Sequence, residues 1–164
     1  MIRLQEFFSA IYDAWKIVLS SGETGIALKG MMNQELFFCE YTESVESEKK
    51  AIAVENMIKK NLGMEVYRNI YYAILAEDAK KANAVLGMMQ EARRIHDKRK
   101  IMEHLSHKQV RKVFELKRTV ENEAHCFQEF IRFSELESGV LFSKLHLKIK
   151  CLHASQIILQ IVCR

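Results

Sequence analysis

Four polar side chains that could do chemistry follow one another at Arg118, Asn122, His125 and Glu129. Steps of four, three and four residues place them on one stripe of a helix. An arginine there could hold a phosphate, and a histidine could transfer a proton because imidazole titrates near neutral pH. The same spacing equally suits structural pairs, Arg118 with Asn122 and His125 with Glu129. The stripe therefore permits catalysis without requiring it.

Glu123 lies beside this stripe and could instead brace a neighbouring segment through an ion pair with Arg132. Together with Arg118 and His125 it forms the candidate catalytic set of a hydrolase or glycosylase-like enzyme. The sequence contains no Walker loop, G-x-G-x-x-G, H-E-x-x-H, G-x-S-x-G or C-x-x-x-C-x-x-C motif. Whether the chain is an enzyme therefore stays open. We expect no cofactor, and the four scattered cysteines lack the spacing of a metal site.

Basic residues are concentrated between Arg93 and Arg118. Ten lysines and arginines stand there against three acids, a balance of +7 in 26 residues. Phosphate contacts from such side chains supply most non-specific nucleic-acid affinity, although a charged helix face is more often merely solvated. Only Phe114 adds an aromatic ring, whereas single-strand binding platforms need several. The predicted nucleic-acid-binding residues are Arg93, Arg94, Lys98, Arg99, Lys100, Lys108, Arg111 and Lys112.

Helices must position most of these residues. Apolar side chains recur at three- and four-residue steps from Leu4 to Leu19 and again from Lys108 to Phe127, which predicts a helix in each place. Between them we predict a helix that is capped by Ser44 or Ser47 and ends at Gly63, and another that starts at Met64. A further helical stretch is predicted to begin at Glu77-Asp78 and to end before Ser106.

Short apolar and aromatic runs predict strands in two other places. The runs at 25–29 and 35–41 read as two short strands, and Ser138-Gly139 between the runs at 130–133 and 140–145 signals a hairpin. We therefore expect an α+β fold that is predominantly α-helical, with short strands near 25–41 and a hairpin near 130–145. No run approaches the roughly 18 apolar residues of a membrane span, and no signal peptide is evident, so we expect a cytoplasmic protein without a membrane partner.

The segment from Val113 to Leu145 resembles a known bacterial family. The resemblance rests on Arg118, on Glu123-Ala124-His125, on Phe130-Ile131-Arg132-Phe133 with Glu135-Leu136, and on Gly139-Val140-Leu141 leading into Ser143-Lys144. The family consists of DNA-metabolism or DNA-repair proteins that contain an uncharacterised domain, are associated with a radical-SAM protein and occur elsewhere fused to uracil-DNA glycosylase-like domains. Weaker similarity reaches back to residues 10–15 and 35–37.

The resemblance implies an accessory protein that binds nucleic acid or a nucleic-acid-processing enzyme. DNA and a radical-SAM protein are then the expected partners. Two alternatives stay open: an enzyme that uses Arg118 and His125, and a helical scaffold for the radical-SAM protein. A truncated product without function is a third outcome, because the chain departs from the family after Leu145.

The family continues beyond this segment as P-K-N-x-V-L and then L-A-x-H-F-A-D-R, but this chain does not. We can shift the reading frame so that each new codon consists of the third base of one codon and the first two bases of the next, beginning at His146. Every family residue is then permitted by the codons. Lys148 followed by Ile149 then gives only Asn or Asp. We infer a single-base loss near His146, so that residues 1–146 form one incomplete domain and 147–164 an out-of-frame tail. Without the tail's three basic residues, 22 bases face 21 acids and the net charge falls from +4 to +1.

Sequencing the gene across the His146 codon tests this inference, and we expect one base to be missing relative to the family frame. The same loss predicts a marginally stable, aggregation-prone chain, because apolar surface would be left uncovered. An intact frame through Arg164, with the tail protected in hydrogen exchange, would contradict the frameshift and restore Cys151, His153 and Cys163 as functional candidates.

Overall fold

The computed structural model describes residues 4–20, 24–28, 42–130, 134–135 and 141–142, with side chains as far as residue 126 in the last helix. Five α-helices and one 3-10 helix account for most of this part of the chain. They are α1 (Leu4–Ser20), α2 (Glu48–Asn61), α3 (Met64–Leu75), α4 (Lys81–Ala92), the 3-10 helix (Lys98–Glu103) and α5 (Lys108–Phe130). α1 packs on α2, and α5 packs on both α3 and α4.

α1 and α5 form where apolar periodicity predicts them, whereas the helical stretch predicted from Glu77 to Ser106 is divided into α4 and the 3-10 helix. Phe7, Phe8 and Ile11 of α1 are buried, and so are Val113 and Val120 of α5, as the three- and four-residue spacing requires. α4 differs because residues on most of its sides are buried, including Ala82, Ala84, Val85, Leu86, Met88, Met89 and Ala92. It is the central helix of the described fold, in contact with α1, α3 and α5.

The predicted α+β class is wrong, because the described chain is helical. Residues 24–28 form no strand. Ile26 and Leu28 are buried on either side of exposed Ala27. The backbone N–H of Ile26 nevertheless donates to Oδ1 of Asn83 on α4 at 2.7 Å instead of to a neighbouring strand. The rest of the first predicted strand pair lies outside the described residues.

The predicted hairpin near 130–145 also needs correction. Phe130 belongs to α5, which runs three residues beyond its predicted end at Phe127. Beyond α5 there are two strands of two residues each, Ser134–Glu135 and Leu141–Phe142, which pair antiparallel. Two residue pairs do not make a sheet that could form a second layer. The other residues of this region, and the predicted tail at 147–164, lie outside the described part, so the domain boundary at 146 stays a prediction.

Two predicted helix starts differ from the structure in their chemistry. α2 begins directly after Ser47, but the Ser47 side chain forms no capping hydrogen bond. Its backbone is held instead by buried Ser9 of α1, whose hydroxyl accepts from Ser47 N at 3.0 Å. The Ser44 hydroxyl donates to Asp13 at 2.7 Å rather than capping α2.

α4 starts at Lys81, later than predicted, because Asp78 forms a turn by accepting from the N–H of Lys80 at 2.7 Å.

Buried Lys81 joins the end of α3 to the start of α4. Its ammonium donates to the backbone oxygens of Ile74 at 2.6 Å and Ala76 at 2.8 Å. These carbonyls belong to the C-terminal end of α3, where helix carbonyls lack intrahelical partners and a positive charge is favourable. The hydrogen bonds offset the cost of burying a side chain that is only 5% exposed.

α4 and α5 approach each other closely at Gly87. A methyl group at this position would lie 2.6 Å from Cγ and 3.1 Å from Cβ of Gln109. Glycine normally weakens a helix interior by about 1 kcal/mol relative to alanine. Here the absence of a side chain leaves room for the Gln109 side-chain stem to pack against α4.

We expect Lys81→Met to lower the free energy of unfolding by about 2 kcal/mol, because two buried carbonyls lose a charged donor while the side-chain volume is kept. Urea denaturation measures the change, and Lys80→Met, at the adjacent exposed lysine, is the matched control. Equal unfolding midpoints for the two variants would show that the Lys81 hydrogen bonds contribute nothing net.

Candidate nucleic-acid interface

An open cleft of about 740 Å³ lies along the contact of α4 with the start of α5. We call it the basic cleft. Gly87 and Gln109, where the two helices meet, are among its lining residues. Basic side chains from three consecutive parts of the chain surround them: Lys80 before α4, Arg94 after α4, and Lys108, Arg111 and Lys112 in the first turns of α5.

Acidic neighbours neutralise two of these five bases. Lys112 donates to Asp78 Oδ2 at 2.7 Å, and Arg94 Nη1 lies 3.4 Å from Glu91 Oε2. Burial acts to raise the pKa of Asp78, but hydrogen bonds from Lys112 and the Lys80 backbone, with the charges of both lysines, outweigh it and hold that pKa below its ordinary value. Asp78 is thus a firmly ionised partner of Lys112.

Three bases of the cleft keep no acidic partner among the described residues, and two of them, Lys108 and Arg111, lie together at the start of α5. Both side chains are exposed, and neither forms an ion pair with an acid in the described part of the chain. They stand one helical turn apart at the start of α5, where free backbone N–H groups add partial positive charge. An anion entering the cleft would meet these two side chains without first displacing a carboxylate.

His107 sits beside them, immediately before α5. Its Nε2 lies 3.7 Å from Glu91 Oε2, and its buried Nδ1 has no hydrogen-bond partner among the described residues. Burying a ring nitrogen without a hydrogen-bond partner is costly. Among the residues that the structure describes, no group of three or more His, Cys, Asp or Glu side chains could hold a metal ion.

The remaining predicted nucleic-acid-binding residues lie outside the cleft. Lys98, Arg99 and Lys100 are exposed on the 3-10 helix, which Ile101 anchors in the core. The Arg99 stem passes close to Gly63, whose φ of 96° forms the turn between α2 and α3. Arg93 points elsewhere, with its guanidinium carbon 5.6 Å from the centre of the Trp15 ring.

The three predicted catalytic residues lie further along α5. Arg118 and His125 are exposed, and Glu123 is partly exposed. None of them lines the basic cleft. Arg118 and His125 form no hydrogen bond or ion pair with any described residue, and the side chains of Glu129 and Arg132, suggested as partners of His125 and Glu123, lie outside the described set. The predicted stripe therefore lies on one helix, α5, and no residue of another described element forms a hydrogen bond or ion pair with Arg118 or His125.

Sequence reasoning missed Lys80 and Trp15. Lys80 joins the cleft because the Asp78 turn folds it back towards α5, and an Asp two residues before a lysine was the available signal. Trp15 reaches the basic segment only through the packing of α1 on α4, for which the sequence carries no local signal.

The described fold is that of a helical protein with a basic cleft, and none of its described helices could cross a membrane. Residues 79–156 match a family model described as a domain of unknown function, DUF4130. The match confirms the predicted similarity to an uncharacterised domain family, and it contains α4, the 3-10 helix and α5, which form most of the cleft. It also includes residues 147–156, whose reading frame stays a prediction. No curated protein and no solved structure matches the chain.

The Asp78–Lys112 pair predicts a pH-dependent stability. Because the pKa of Asp78 is lowered in the folded chain, its contribution is present above its unfolded pKa, near 3.8, and is lost as pH falls through the lower folded value. Asp78→Asn should cost up to about 1 kcal/mol at pH 7 and progressively less below pH 4. Denaturation at several pH values measures this, with exposed Glu77→Gln as control; a difference that persists unchanged at pH 2 would contradict it.

Proposed function

We propose that this protein is an accessory factor of DNA metabolism that binds nucleic acid through the basic cleft. The observation that carries the proposal is the convergence of Lys80, Arg94, Lys108 and Arg111 on one cleft, with Lys108 and Arg111 unpaired by any described acid. Polyanions gain most of their affinity from such side chains, because each phosphate contact releases condensed counterions.

The family resemblance supports the same function. The segment from Val113 to Leu145 resembles DNA-metabolism or DNA-repair proteins, and the start of α5, with its two unpaired bases, directly precedes it. A radical-SAM protein is proposed as the enzymatic partner on the same grounds. In this arrangement the chain would hold nucleic acid while the partner supplies the chemistry.

The alternative of a hydrolase that uses Arg118 and His125 receives no support from the described geometry, because both side chains are exposed and neither lines the cleft. The scaffold alternative differs in its expected behaviour: such a protein would co-purify with the radical-SAM protein and would show no salt-dependent affinity for DNA.

Reversing the two unpaired charges at the start of α5 tests the proposal. We expect Lys108→Glu with Arg111→Glu to weaken DNA binding on the order of tenfold or more at low salt. The slope of log K against log salt should also become shallower by about 1 to 2, since two phosphate contacts are lost. Fluorescence anisotropy with labelled DNA at several salt concentrations measures both quantities.

The matched control is Lys49→Glu with Arg68→Glu, which makes the same change in net charge at exposed positions of α2 and α3. It should leave the slope unchanged. Equal losses of affinity in the two double variants would mean that only total charge matters. If the full-length protein with its reading frame restored, and without these substitutions, shows no salt-dependent binding, the function is excluded altogether.

A further inference from the structure

Trp15 brings to the basic segment a second aromatic ring, in addition to Phe114, the one that the segment itself contains. It is partly buried on α1, where it packs against the hydrophobic core, and the exposed Arg93 lies over its ring at 5.6 Å. On the same helix, Lys16 Nζ lies 5.9 Å from the ring centre of Tyr12, which is also partly buried. Two aromatic rings and two cations thus occupy neighbouring positions on α1 and at the end of α4.

This surface adjoins the basic cleft. Arg93 and Arg94 are consecutive residues at the end of α4, yet Arg93 lies over Trp15 while Arg94 lines the cleft. Arg93 also forms no ion pair with a described acid. The end of α4 therefore presents one arginine to each of two adjoining surfaces, one rich in positive charge and the other aromatic.

The two surfaces suit the two parts of a nucleotide. Phosphates bind to lysine and arginine, whereas bases stack on aromatic rings and on the planar guanidinium of arginine. A base can use such a platform only if it is not already stacked within a duplex. Charge alone would favour a duplex at least as strongly, because a duplex carries more phosphates per unit length.

We propose that Trp15 and Arg93 form a base-stacking site and that the ligand of the basic cleft is single-stranded nucleic acid. A base stacks on the Arg93–Trp15 pair while adjacent phosphates contact Arg94, Lys108 and Arg111. The proposal rests on the proposed nucleic-acid binding and adds to it the strandedness of the ligand. An exposed contact between a cation and an aromatic ring that served stability alone would give no preference between single strands and duplexes.

The chain's single tryptophan makes the site directly observable. Titration of the full, unaltered protein with oligothymidylate should quench Trp15 fluorescence, and a duplex of equal phosphate concentration should quench it much less. Quenching that is equal for the two ligands, or absent while anisotropy reports binding, would overturn the stacking site and leave the nucleic-acid function intact. If neither ligand binds at any salt concentration, both proposals fail.

Two variants separate stacking from charge. Arg93→Lys keeps the charge at an exposed position and removes the guanidinium plane, and Trp15→Leu keeps an apolar contact and removes the ring. Each should weaken oligothymidylate binding about tenfold, within the range for loss of one stacked base, and change duplex affinity by less than about twofold. Arg68→Lys, the same change at an exposed position of α3, is the control and should change neither. If Trp15→Leu unfolds, Arg93→Lys alone decides, and equal losses for both ligands would contradict the proposal.

Discussion

The close contact of α4 with α5 at Gly87 is the constraint on which the rest of the described structure depends. Without a side chain at that position, the Gln109 stem packs directly against α4, and both residues line the basic cleft. A larger residue would push the helices apart, because interiors packed at crystal-like density absorb little added volume. The same contact between α4 and α5 thus helps to form the core and lines the cleft.

Local charge in the cleft is determined by which bases have acidic neighbours. Asp78 holds Lys112, and Glu91 lies near both Arg94 and His107, whereas Lys108 has no such partner in the described chain. Over the whole chain, 25 lysines and arginines face 21 acids. The charge of the cleft therefore depends on arrangement: the fold gathers unpaired bases on one surface, although the net charge of the whole chain is only +4.

Helical periodicity was enough to predict the main elements, because the apolar stripes of α1 and α5 extend over many turns and face a common core. The strand at residues 25–29 was predicted wrongly because a short apolar run can be buried in the core without pairing with a strand. The Ile26 N–H donates instead to the Asn83 amide oxygen, a partner that no local pattern identifies. The predicted basic residues that the fold brings into one cleft, Arg94, Lys108, Arg111 and Lys112, all come from one continuous segment. Trp15 and Arg93 meet through tertiary packing, and a single sequence does not report such contacts.

The buried ammonium of Lys81 has a consequence for how this protein moves. Separating α4 from the end of α3 would leave a charge and two carbonyl groups without partners in a poorly hydrated site, so a partly open state of this kind is strongly disfavoured. The two helices should therefore open and close as one cooperative unit. Their amide hydrogens would exchange together, while the fold could fray first at elements without such a link, such as the start of α1.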